Sequence, residues 1–384
     1  MISTTPHDHH RLRRQPLNPY FSKQAIRNLE PLLYQSIDKI IDQTQKCKAA
    51  GSVLNLSDML SAFTGDVIMD YAFGQNLGFL DDLSVQKDWH ALWVNLTGSG
   101  AMVKQVPIFG TLLRVMPPWM AEKMDERFRL LGSLFNVLRK QILQIKEEGS
   151  KSRDNSKGIM SELIYGDLPE TEKKLPRLVD EGQSVVGAGS ITTAEMLSAM
   201  MYHLLEDPKL MANLRQELEP VMKRTDGRPS QSDLEPLPYL TAVIKEGLRL
   251  YYGISQRLPR IHNADVHFRN TVIPRGTPIS MSSFMMHTDP AVFPESQSFK
   301  PDRWLNSGGK RLDNYLVPFG KGTRQCLGIN LAWAEMYLAL ASLCAPGRFE
   351  FALYDTDLSD VKIEHDFFVA FPRLDTKGVR ATVK

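Results

Sequence analysis

Phe319-Gly320-Lys321-Gly322-Thr323-Arg324-Gln325-Cys326-Leu327-Gly328 is the stretch from which the rest of this 384-residue chain is read. Its glycines let the backbone turn tightly and come close to something flat. Arg324 adds a cation to the same loop, and Cys326 stands at the start of an apolar stretch, Ile329 to Ala345, that reads as a helix. A thiolate at a helix N-terminus gains from the helix dipole and from unpaired backbone N–H groups. Taken alone, the run also fits a Gly-rich turn before a buried helix with a structural cysteine.

The totals bound the possibilities. The length allows one large domain or two ordinary ones. Hydrophobic residues make up 42% and charged residues 23%, as in an ordinary globular protein. A net charge of +2 offers no electrostatic case for nucleic acid. Three cysteines, at 47, 326 and 344, make no disulfide framework, and Cys47 and Cys344 read as buried and inert. No run of about 18 apolar residues predicts a transmembrane helix, and the polar, His-rich start is no signal peptide.

Along the chain, the opening from Pro6 is basic and turns at Pro19; on its own it reads as a frayed terminus or a solvated basic face. A metal site from His7, His9 and His10 has no second ligand cluster behind it. Pro31 to Ile41 and Leu56 to Tyr71 have helical periodicity, the latter with Ser57 or Asp58 near its start. Ile108 to Trp119 is apolar and suits core packing or a dip into a membrane surface. Lys146 to Lys157 reads as a surface loop, and Asp180 to Leu205 as a long helix. That helix has an odd centre, Gly187-Ala188-Gly189-Ser190-Ile191-Thr192-Thr193. Glycine there costs about 1 kcal/mol per residue relative to alanine. Small residues suit either a flat ligand lying on the helix or a close helix crossing, and the threonines can bond back one turn. Val266–Phe268 and Thr271–Met281 predict short strands turning at Arg275-Gly276, and Asp366 to Phe371 a further strand.

Phe319-x-x-Gly322-x-Arg324-x-Cys326-x-Gly328 resembles the haem-binding signature of the cytochrome P450 monooxygenases, with every fixed position present. The resemblance implies a mainly α-helical fold with small β-sheets, one haem domain over residues 1–384, and Cys326 as the thiolate ligand of a haem b. It implies that Arg14, Arg260 and Arg324 meet the haem propionates, with His10 where a tryptophan is usual. Phe319 and Gly328 complete the loop. Ala188, Gly189, Thr192 and Thr193 match the oxygen-binding groove of the family's central helix, where Thr192 would steady bound dioxygen. Ile191 stands where that motif has an acid, so a water chain through Thr192, or Glu195 one turn on, would have to supply protons.

By the same resemblance, Glu246, Arg249 and Arg303 form the structural ion cluster behind the haem. Glu246-x-x-Arg249 alone is weak, since Glu126 and Arg129 repeat the spacing. Gly253-Ile254-Ser255 would lie beside the substrate, and Phe367 or Phe368 would reach the pocket or pack in the core. In family terms the chain begins at the third helix, so the membrane anchor, the first two helices and part of the first sheet are expected to be missing. The implied reaction inserts one atom of O2 into an apolar small molecule of terpenoid or polyketide type, as in filamentous-fungal secondary metabolism. Electrons would come from NADPH through a separate cytochrome P450 reductase, because no flavin or dinucleotide motif is present. The implied location is the cytoplasmic face of the endoplasmic reticulum membrane, through peripheral contact. A haem-thiolate isomerase, dehydratase or peroxide-using enzyme, or an inactive chain, are the alternatives.

Overall fold

The computed structural model describes residues 4–105, 126–151, 158–305 and 312–384. The opening is ordered: α1 (His7–Arg14) leads through a 3-10 turn into α2 (Lys23–Asn28), which Ser22 caps by accepting the Ala25 N–H. In α3 (Glu30–Ala50) Leu33, Ile37, Ile40 and Thr44 fall three or four apart and are all buried, and the helix stops at Gly51 in the left-handed region. Asn55 caps α4 (Leu56–Phe73) by accepting from the N–H groups of Ser57 and Asp58, so those two lie inside the first turn. The described helices continue with α5 (Leu83–Gln105), α6 (Glu126–Lys151), α7 (Ile159–Tyr165) and α8 (Leu175–Glu206). Then come α9 (Pro208–Arg224), α10 (Gln231–Leu234) and α11 (Pro238–Leu250). The last are α12 (Ser283–His287), α13 (Asp302–Leu305) and α14 (Ile329–Leu343).

The core is built on α8, which at 32 residues runs about 48 Å. Its principal neighbour is α4, buried on almost every side. The glycines of α8 make this crossing possible. A Cβ on Gly189 would stand 2.6 Å from Ile68 of α4, and one on Gly187 would stand 2.5 Å from the Trp93 ring of α5. Helix packing therefore accounts for both glycines, and Ala188 between them is the residue left exposed.

The β-structure is small and antiparallel. β1 (Leu54–Asn55), β9 (Arg380–Val383) and β6 (Phe351–Leu353) form one sheet in that order, with Leu54 opposite Ala381 and Phe351 opposite Val383. The pairs β2–β5 (Arg260–Ile261 with Pro278–Ile279) and β3–β4 (Val266–Phe268 with Thr271–Ile273) stand separately, as does β7–β8 (His365–Phe367 with Val369–Phe371).

Several local expectations need correction. The hairpin from Val266 turns at Arg269-Asn270, whereas Arg275-Gly276 redirects the chain to β5, the partner of β2. Asp366 to Phe371 is not one strand, because Phe368 at φ 77° folds it into two. The polar run from Lys146 is helical as far as Lys151. The Tyr165 hydroxyl bonds the Ile145 and Lys146 carbonyls and packs where Gly149 has no side chain. Residues 152–157 lie outside the described residues, as does the apolar stretch 108–119.

Candidate active site

Gly320 and Gly322 both sit at positive φ (65° and 75°), which residues with a Cβ rarely adopt. The loop closes on itself through the Cys326 N–H, which donates to the Phe319 carbonyl at 2.8 Å. Gly328 then begins α14, so Cys326 lies just ahead of the helix and the Gly328 N–H works to lower its pKa. Crowding by protein nevertheless pushes the thiol above its usual range, although Cys326 is exposed by surface. Both observations hold if the thiol faces a hollow enclosed by the protein. Phe319 packs toward Trp333 of α14, ring centroids 6.5 Å apart.

Cationic side chains gather around this loop. Arg14 donates to the Gln325 carbonyl at 2.7 Å, and its charge acts on Cys326. Arg324 donates to the carbonyls of Thr4 and Thr5, both at 2.8 Å, and Arg260 to that of Pro259 at 3.0 Å. His10 is buried close by, and burial together with the Arg324 and Arg14 charges drives its pKa down to about 4. Burial lowers the pKa of Arg260 as well, helped by the charge of Arg324. None of these three arginines has a carboxylate partner among the described residues. Such a cluster is costly until an anion joins it.

On α8, Thr192 lies one turn beyond the exposed Ala188, to whose carbonyl its hydroxyl donates at 2.8 Å. Ile191 points into the core, 2% exposed. Behind the loop, Glu246 and Arg249 are completely buried. The Glu246 carboxylate accepts from Arg249, Arg303, the Lys300 N–H and the Trp304 indole at 2.8–3.0 Å, while Arg249 also donates to the His287 carbonyl at 2.8 Å.

The family model for cytochrome P450 matches residues 1–373. The chain belongs to the cytochrome P450 family. It is 38% identical to a tryptophan 6-hydroxylase of Fusarium equiseti over all of this chain and 76% of that protein. It is 38% identical to a cytochrome P450 monooxygenase of Ascocoryne sarcoides, over all of this chain and 77% of the relative. A fusicoccadiene C-8 hydroxylase of Phomopsis amygdali is 35% identical over 99% of this chain and 75% of its own length. As a cytochrome P450, the protein is an oxidoreductase of the monooxygenase class, and its relatives place it among the fungal enzymes of secondary metabolism.

Family membership implies a haem, and the residues present fit one. An accessible thiol at a helix start would supply a soft thiolate ligand. Three arginines without carboxylates offer charge-assisted bonds to two propionates, and a Cβ on Gly320 or Gly322 would meet nothing within 4 Å. Arg14, Arg260, Arg324 and His10 gather near Cys326, whereas Ala188 and Thr192 mark an accessible face of α8. Gly189 is spent on the contact with Ile68. Arg324 and Arg14 already bond backbone carbonyls with part of their guanidinium groups, and Arg14 Nε donates to Asn18 Oδ1 at 3.2 Å, which leaves their remaining N–H groups to turn toward an anion. Gly253 sits beside Met196 and Thr192, and Ile254 bridges to Val369. Phe367 stacks on His365 and faces Gly98 of α5. Cys47 and Cys344 are buried, and burial pushes the Cys344 thiol up to about 12.

Sequence reasoning missed several polar groups. Glu335 of α14 is buried against Thr193, its Oε1 without a hydrogen-bond partner among the described residues. Burial raises its pKa well above the carboxylate range. A lone acid inside an apolar helix was the available signal. Glu172 draws His9 (2.7 Å), Arg13 (2.8 Å) and Arg177 (3.0 Å) together; nothing local in the sequence announces that meeting. Among the described residues no three His, Cys, Asp or Glu side chains are placed to hold a metal ion, and His9 is engaged by Glu172.

Proposed function

We propose that this protein hydroxylates an apolar small molecule of terpenoid or polyketide type, using O2 and electrons that NADPH delivers through a separate cytochrome P450 reductase. Bound haem would supply the O2 activation and the C–H oxidation. Cys326 Sγ would hold the iron as a thiolate, helped by the Gly328 N–H and the Arg14 charge that already favour its ionised form. Arg14, Arg260 and Arg324 would orient the group by its carboxylates. The Thr192 hydroxyl would turn from the Ala188 carbonyl to donate a hydrogen bond above it. Gly253 and Ile254, with Phe367 under α5, supply the apolar contacts that would position a substrate and exclude water.

The observation that carries this reading is the accessible Cys326 thiol beside three arginines that have no carboxylate among the described residues. The names of the relatives support a small apolar or aromatic substrate. Attachment to the endoplasmic reticulum by peripheral contact belongs to the same proposal, on the strength of family resemblance; among the described residues no helix is long and apolar enough to cross a membrane. The test is the absorption spectrum of the haem-loaded protein, reduced and exposed to CO. The thiolate-type Soret shift is expected, with loss of that shift in Cys326→Ser. An unshifted band in the parent protein would sink the reading. Ile191 favours one rival, a haem-thiolate isomerase or peroxide user that needs no proton delivery. Product formed without O2 and reductase would select it.

A further inference from the structure

Inserting one oxygen atom from O2 and releasing the other as water consumes two electrons and two protons. The side chain at position 191 carries none, and Ile191 lies in the core. We propose that Asp58, His90 and Glu195 form a proton relay that serves the Thr192 face of α8. The proposal rests on the monooxygenase reading above; Glu195 is the acid one turn beyond Ile191, and Asp58 and His90 are residues that the motif comparison leaves aside.

The three side chains come from three helices. His90 of α5 hydrogen-bonds Asp58 Oδ1 of α4 through Nδ1 and Glu195 Oε1 of α8 through Nε2, both at 2.8 Å. Exposures of 16% for Asp58 and His90 and 20% for Glu195 keep the chain mostly inside while leaving it reachable by water. Imidazole between two carboxylates is a natural shuttle, because one nitrogen can release a proton while the other takes one up. Burial opposes the charge on His90, yet the bonds and charges of Asp58 and Glu195 hold it protonated, with a pKa up to about 10. Asp58 is held in place by the Asn55 amide, at 2.7 Å.

Glu195 also opens onto a cavity of about 20 Å³ lined by Ser57, Ser198, Gly253 and Asp360, polar enough and just large enough for one water. On its far wall Asp360 is neutralised by Arg373, at 2.9 Å. Gly253 links this cavity to the reacting face, since a Cβ there would lie 3.8 Å from Thr192 Cβ. Thr192 and Glu195, three apart, share a side of α8. In one turnover of the relay the protonated His90 ring passes its Nε2 proton to Glu195, the neutral ring changes to its Nε2–H tautomer, and the freed Nδ1 takes up a proton that solvent supplies through the Asp58 carboxyl. The sum is one proton carried from water to Glu195, with no charge left behind.

The experiment compares the haem-loaded parent protein with His90→Gln, Glu195→Gln and the conservative Glu195→Asp. Each is supplied with NADPH, O2 and a purified NADPH–cytochrome P450 reductase without added substrate. The readouts are NADPH oxidation, its partition between H2O2 and water, and the solvent deuterium effect. Loss of the relay should slow oxidation by about tenfold or more, shift the partition toward H2O2 and enlarge the deuterium effect, with partial recovery in Glu195→Asp. Variants that keep the CO-shifted band, the partition and the deuterium effect of the parent would overturn the relay while leaving the monooxygenase reading standing. So would variants that lose only thermal stability. A parent protein without the CO-shifted band overturns both. An independent readout is the 15N–1H spectrum of the His90 ring. The relay requires its N–H protons to exchange rapidly with water, and protection lasting minutes would refute it.

Discussion

Arg249 has no water to fall back on. It is fully buried, and its charge is tolerated because Glu246 accepts two of its N–H groups while the carbonyls of His287, Ser296 and Ser298 take the others. Removing one partner strands a buried charge, so Arg249→Ala should cost about 3–5 kcal/mol, read as a fall in the midpoint of urea unfolding. Replacing exposed Lys223, whose ion pair with Glu219 stays in solvent, should change that midpoint very little. The contrast separates the two Glu-to-cation pairs by burial, which their spacing alone does not reveal. At Thr192 the expected effect is chemical: Thr192→Ala should preserve the CO-shifted band and raise the fraction of NADPH lost to H2O2. An unchanged fraction would remove Thr192 from the mechanism.

Among elements, the crossing of α8 on α4 does the most to position the site, since α8 carries Ala188 and Thr192. Its closeness depends on Gly189. Alanine is the better helix former by about 1 kcal/mol, but a methyl 2.6 Å from Ile68 forces the helices apart. Gly189→Ala is therefore expected to destabilise the protein by about 1–3 kcal/mol in thermal or denaturant unfolding. Ile68→Val in the same chain should restore part of the loss, because the two side chains then compete for less space. Stabilisation by Gly189→Ala alone would show that helix propensity governs this position. The Gly-Ala-Gly run was visible in the sequence as an anomaly, but which neighbour required it was not. A ligand and a helix crossing ask for the same small residues.

Across the whole molecule, α1 is joined to the segment before α8 by Glu172, which binds His9, Arg13 and Arg177. Burial alone would raise its pKa, but those partners bring it down to about 2. Since the unfolded value is near 4.5, the network stabilises the fold above about pH 4.5 and is lost as pH falls toward 2, on the order of 3 kcal/mol in total. His90 has the opposite sign. Its folded pKa of about 10 exceeds 6.5, so its stabilisation is full below pH 6.5 and disappears as pH rises through 10. Unfolding midpoints against pH should show Glu172→Gln flattening the acid limb and His90→Gln the alkaline one. The Cys326 loop, the periodicity of α3 and α4 and the Glu246-x-x-Arg249 spacing were legible in the sequence because each is a local pattern, whereas Arg303, 57 residues beyond Glu246, joined the set only through family resemblance. Those local patterns pointed to the family and singled out Cys326 as the candidate ligand. Only the tertiary structure decided that Gly187 and Gly189 serve packing, that Phe368 splits a strand, and that Asp58, His90 and Glu195 meet. The reason is physical: burial and hydrogen bonding between α4, α5 and α8 depend on how distant segments fold together, and no spacing along the chain records it.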